Sequence, residues 1–148
     1  MKLFYLFLPV IVGVALTAQA SINGQLRVAI NNPLMATLIS FLVGTILLVA
    51  ILLLSSQRIP SIPELTNIEW YKYTGGILGA FIVMAIIISI QNINPSAMFA
   101  LIVTGQLLTA LAFEQFGLLG VKPSPISWPK IVGVILLVVS VYLINKKK

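Results

Sequence analysis

The sequence has no cysteine and no histidine, and its only acidic residues are Glu64, Glu69 and Glu114. Without cysteine there are no disulfides and no thiol nucleophile. Without histidine as well, zinc sites of the usual kind and imidazole base catalysis are also excluded. Glu114 is the one carboxylate inside an apolar run, so no second acid or base completes a catalytic pair. The chain therefore does not read as an enzyme, and nothing in it calls for a cofactor or a metal. The phosphate-cradling pattern G-x-x-x-x-G-K-[ST] is absent too, which removes ATP-driven work by this chain alone. Charge of either sign is scarce: 8% of the residues are charged, where a soluble domain carries about 25%.

What is present is apolar. Hydrophobic residues make up 59% of the 148 positions, and the mean hydropathy is +1.11. A chain this short has too much surface to hide that content from water, so its apolar side chains face lipid. The net charge of +6 would suggest nucleic acid in a soluble protein. Here no basic run is interleaved with aromatics, and basic residues collect in membrane loops for topological reasons. A nucleic-acid partner is not expected; the bilayer is.

The predicted fold is all-α: a polytopic transmembrane helix bundle in one domain covering residues 1–148. Five apolar segments approach the length that crosses a bilayer core, at about residues 3–22, 34–54, 73–90, 96–116 and 129–144. The first has room to continue as helix through Ser21–Ala29. Asn32-Pro33 and Asn94-Pro95 each place a cap residue before a proline at the first helical position, where the missing N–H costs nothing. Ser61-Ile62-Pro63-Glu64 is a capping-box pattern opening a short helix through Thr66–Tyr71. Trp70, Tyr71 and Tyr73 form an aromatic belt at the mouth of the third span, and Trp128 does the same at the fifth. Gln91–Asn94 predicts a tight turn, which makes spans three and four antiparallel neighbours. A second reading of the N-terminus stays open, because Lys2, an apolar run and Ala18-Gln19-Ala20 also outline a cleavable secretory signal.

An odd number of spans puts the termini on opposite sides. Lys2, Arg58, Lys72, Lys122 and Lys130 then share one side, and Arg27, Lys146, Lys147 and Lys148 the other. Five against four is almost no bias, whereas a clear Lys/Arg excess normally sets orientation. Either the chain inserts both ways, so that two copies pair head to tail as an inverted repeat, or a partner orients it. If the chain-end lysines count for little, the N-terminus lies inside.

With so few polar groups available, their positions carry the information. Glu114 sits near the far end of the fourth span, about 12 Å along the helix from Gln106 at 1.5 Å per residue. Eight residues apart, the two lie on nearly one face. Glu114 is the candidate for proton or ion coupling; the alternative is a headgroup-facing carboxylate paired with Lys122 or Lys130. Gln106 lies near the midplane, where an amide either joins helices or contacts substrate. Gln19 and Asn23 end the first span on one face and are candidate substrate contacts, although Asn23-Gly24 is also a turn signal. Gly75 and Gly79 form a small-xxx-small face for close helix packing, and Gly105 is read as a packing residue as well.

Several stretches resemble the YdcZ-like family of five-span membrane proteins. In the first two spans they are Gln19-Ala20-Ser21-Ile22-Asn23-Gly24-Gln25-Leu26 and Ile39-Ser40-Phe41-Leu42-Val43-Gly44-Thr45. Further along are Gly75-Gly76-x-x-Gly79-Ala80, Gly105-Gln106-Leu107-Leu108 and Phe113-Glu114-Gln115-Phe116-Gly117-Leu118. The proline-rich stretch 122–129 and Gly133 continue the likeness, which covers nearly the whole chain. That family is grouped with the drug/metabolite transporter superfamily and described as candidate inner-membrane exporters, single or fused in tandem to ten spans. The resemblance implies a multi-pass protein of the bacterial inner membrane and a 5+5 inverted bundle formed by two chains. Its partner would be a second copy or a paralogous five-span chain. Relatives often carry Asp-His before Phe-Gly where this chain has Glu114-Gln115, so the carboxylate is kept in kind and no imidazole role carries over.

The function expected is secondary transport, the export of a small organic metabolite or drug-like solute by alternating access. The alternative is a non-transporting accessory or scaffold subunit of a larger complex.

Overall fold

The computed structural model describes residues 2–146 and, among them, contains helices and no strand. The helices are α1 (Lys2–Ile30), α2 (Pro33–Leu54), α3 (Ile62–Thr66), α4 (Gly75–Ser89), α5 (Pro95–Phe116) and α6 (Trp128–Asn145), with 3-10 turns at Trp70–Thr74 and Leu118–Gly120. The helices gather into two compact units, one ending at Asn92 and the other starting at Ile93.

In the first unit α1, α2 and α4 touch one another pairwise. Small residues make this possible: Ala20 and Ala36 are buried, beside Asn23, Thr37 and the wholly buried Ile87. Helices in lipid gain little from apolar burial, so close backbone approach and side-chain hydrogen bonds hold them together. The first helix is longer than the span 3–22. It runs unbroken through Asn23-Gly24, which is therefore not a turn, and stops where Asn31 takes a left-handed φ of 50°. Asparagine tolerates that conformation at a helix end. A Cβ placed on Gly24 would lie 2.9 Å from Ile90 Cγ2. The glycine serves close approach of α1 to the end of α4.

Helix α2 starts as its sequence predicts, with the Asn32 side chain accepting the Met35 N–H at 3.0 Å and Pro33 in the first turn. Between α2 and α4 the Glu64 carboxylate accepts the Ser61 N–H at 2.7 Å and the Ser61 hydroxyl at 2.9 Å, fixing the start of α3. That helix stops at Thr66, short of the predicted Tyr71, and the aromatic run Trp70–Thr74 forms a 3-10 turn instead. Aromatic side chains lose rotamer freedom in an α-helix, and Tyr73 instead donates its hydroxyl to the Leu65 carbonyl at 2.8 Å.

In the second unit α5 packs on α6. Asn94 occupies the cap position of α5 but makes no side-chain cap bond there. Among the described residues, four segments are long and apolar enough to cross a membrane: Phe7–Ile30, Pro33–Leu54, Trp70–Ser89 and Pro95–Phe116. The expected fifth, 129–144, appears as the shorter apolar helix Trp128–Ile144. At 1.5 Å per residue it is about 26 Å long, against a hydrocarbon core of about 30 Å.

Candidate functional site

Glu114 lies where α5 ends. Gly117 takes a left-handed φ of 63° and closes the helix with its N–H on the Phe113 carbonyl. The chain then folds back on the last turn. The Ser124 N–H reaches the Glu114 carbonyl at 2.8 Å, and the Ile126 N–H reaches Gln115 Oε1 at 2.9 Å. From the first turn of α6, Lys130 Nζ meets Glu114 Oε2 at 2.6 Å and the Ser124 hydroxyl at 3.0 Å. Both charged side chains are about one-third exposed (29% and 34%), between the solvated and the buried limits for an ion pair. Of the two lysines that the sequence offered as partners, Lys130 is the one placed against the carboxylate. Next to this pair, a groove of about 360 Å³ runs between α5 and α6, lined by Leu108, Leu111, Ala112, Gln115, Ile131 and Val134 among others.

Gln106 stands two turns before Glu114 on the same helix, with its side chain exposed. In the first unit Gln19 is exposed, whereas Asn23 is buried and donates from Nδ2 to the Ser40 hydroxyl at 3.1 Å. The two therefore differ in environment although both belong to α1. Among the described residues neither Gln19 nor Gln106 has a hydrogen-bond partner, and amides on apolar helices require one. Of the glycines, Gly79 faces Phe41, whose Cζ would lie 3.6 Å from an added Cβ; Gly75 and Gly105 face open space within the chain.

Three polar residues in these networks were given no side-chain contact by the sequence: Ser40, Ser124 and Gln91. Gln91, which the sequence places in a turn, donates from Nε2 to the Gly24 carbonyl at 3.1 Å. A hydroxyl in an apolar helix signals a polar contact in general, but nothing in the spacing pairs Ser40 with Asn23.

The comparisons with known proteins agree with this architecture. Residues 4–143 match the family described as "Putative inner membrane exporter, YdcZ". The chain is 32% identical over 136 residues to the inner membrane protein YdcZ of Escherichia coli (strain K12), covering 91% of this chain and 90% of that protein. No solved structure matches. With its membrane-length apolar helices, the chain is a multi-pass inner-membrane protein and belongs to the YdcZ family of membrane exporters.

Proposed function

We propose that this chain is a secondary transporter that exports a small organic solute by alternating access, working as an antiparallel pair of five-span copies. The observation that carries the reading is the match to an exporter family over residues 4–143. The exposed amides of Gln19 and Gln106 support it, since they need a solute, water or a second copy to satisfy them. Asn23, already bonded to Ser40, orients the end of α1 and contacts solute only when that bond opens. The helix Trp128–Ile144 crosses as the fifth span. Its shortfall is met by local thinning of the bilayer and by Lys146 reaching outward at its C-terminal end. Gly75 and Gly105, open within one chain, are available to the partner copy.

Glu114 carries the coupling ion or proton only after parting from Lys130, so their contact is the element that coupling would switch. In proteoliposomes loaded with a panel of fluorescent organic solutes, the protein alone should release at least one of them, and Gln106→Ala should slow that release. Glu114→Gln should abolish its dependence on a proton gradient; unchanged dependence would remove Glu114 from the mechanism. Failure of the folded protein to move any solute would favour the accessory-subunit reading. A reporter on the C-terminus should appear on both sides of the membrane; appearance on one side only would rule out the antiparallel homodimer.

A further inference from the structure

The segment joining α2 to α4, residues 55–74, is unlike an ordinary solvated loop. It carries four charged side chains, Arg58, Glu64, Glu69 and Lys72, and all four close on one another. Arg58 pairs with Glu64 at 2.7 Å, and Lys72 pairs with Glu69. The segment is thus electrically neutral pair by pair. At the same time it exposes large apolar side chains: Ile59 at 62%, Ile62 at 77% and Trp70 at 78%. Tyr71 and Tyr73 are also exposed, and the Tyr73 hydroxyl holds the aromatic turn against α3 through the Leu65 carbonyl.

We propose that residues 55–74 are a charge-closed anchor that lies in the lipid interface and binds either leaflet of the bilayer alike. The occupant is argued from composition and pairing together. Isoleucine and tryptophan side chains this exposed are unfavourable in water, and indole and phenol rings favour the headgroup level, where one end is apolar and the other wet. A free Arg58 or Lys72 would draw the segment toward the anionic cytoplasmic leaflet; paired, neither does so. Exposed ion pairs add little stability, so charge closure, and not strength, is what the pairs provide. They persist at neutral pH. The Ser61 N–H and hydroxyl, with Arg58, hold the Glu64 carboxyl below its ordinary value, and Lys72 does the same for Glu69.

This use of the segment rests on the antiparallel reading, in which one copy presents residues 55–74 to the inner leaflet and its partner presents them to the outer. Once both copies are folded, a connector attracted by anionic lipid would hold one copy more firmly than the other. A neutral one holds both alike.

The test uses the full-length Trp128→Phe protein, whose remaining tryptophan is Trp70, in vesicles of brominated phosphatidylcholine with and without phosphatidylglycerol. Blue-shifted Trp70 emission, quenched by shallow bromines to the same extent in both membranes and at low and high salt, is expected. Unquenched, water-like emission, or quenching that requires phosphatidylglycerol, would overturn the proposal. Bromine is present in both leaflets, so this readout does not depend on which way the chain inserts. A one-sided C-terminal reporter would therefore defeat the antiparallel reading and leave the quenching result standing. In the Glu64→Gln/Glu69→Gln variant, quenching should become dependent on phosphatidylglycerol and weaken with salt; a variant indistinguishable from its parent would show that pairing is irrelevant and overturn the leaflet claim.

Discussion

One glycine and one ion pair carry most of what is specific at the residue scale. A side chain at Gly24 would press on Ile90 Cγ2 and on Gln91 Nε2, 2.9 and 3.1 Å from the added Cβ. Gly24→Val should therefore destabilise the protein by about 1–3 kcal/mol, read as a lowered Tm in detergent. Glu114 and Lys130 leave each other half-shielded when either is removed. A double-mutant cycle with Glu114→Gln and Lys130→Gln should return a coupling energy of about 1 kcal/mol, with the double variant more stable than the sum of the singles predicts. Additive losses would show that the contact contributes nothing. Glu114 stood out in the sequence because a carboxylate in an apolar run is expensive. Its partner did not, because Lys122 and Lys130 are both within reach of a helix end, and the fold-back of the 117–127 loop decides between them.

At the scale of the element, the two Asn-Pro starts look alike in sequence and differ in structure. Asn32→Ala removes a side-chain bond to the Met35 N–H and should cost about 1 kcal/mol. Asn94→Ala removes no such bond and should cost less; thermal unfolding of the two variants side by side checks this. The start of α3 depends on pH through Glu64. Its carboxyl is held below the ordinary 4.5, first by the Ser61 N–H. Its contribution is complete above that ordinary value and is lost as pH falls through the lower folded one. The protection factor of the Ser61 amide, followed downward from neutral pH, should fall only below the usual glutamate titration, and Glu64→Gln should erase that step. The helix positions themselves were legible, since runs of apolar residues between Asn-Pro and Gly signals leave few alternatives. The length of α1 was less so: the sequence allows both a helix through Ser21–Ala29 and a turn at Asn23-Gly24, and the close approach of α4 is what explains the glycine.

Orientation is a property of the whole molecule. The Lys/Arg count of five against four leaves the direction of insertion nearly undecided, so small changes should tip it. Deleting Lys146, Lys147 and Lys148 leaves Arg27 alone on its side against five, and the positive-inside tendency should then hold the N-terminus in the cytoplasm. A reporter at the shortened C-terminus should consequently move to the periplasmic side; an unchanged distribution would show that these lysines do not count. By itself the sequence determined that this protein lives in a bilayer and is built of helices, because solvation is a sum over composition and needs no contact to be known. It also determined where α2, α3, α5 and α6 start, through caps and prolines that act within a turn of themselves. Only the tertiary structure decided which polar groups answer one another: Asn23 with Ser40, Gln91 with Gly24, Lys130 with Glu114 and Ser124. Spacing along a helix specifies the face that a side chain occupies, but its partner is set by how two helices rotate and how closely they approach. That depends on every small residue along the contact at once.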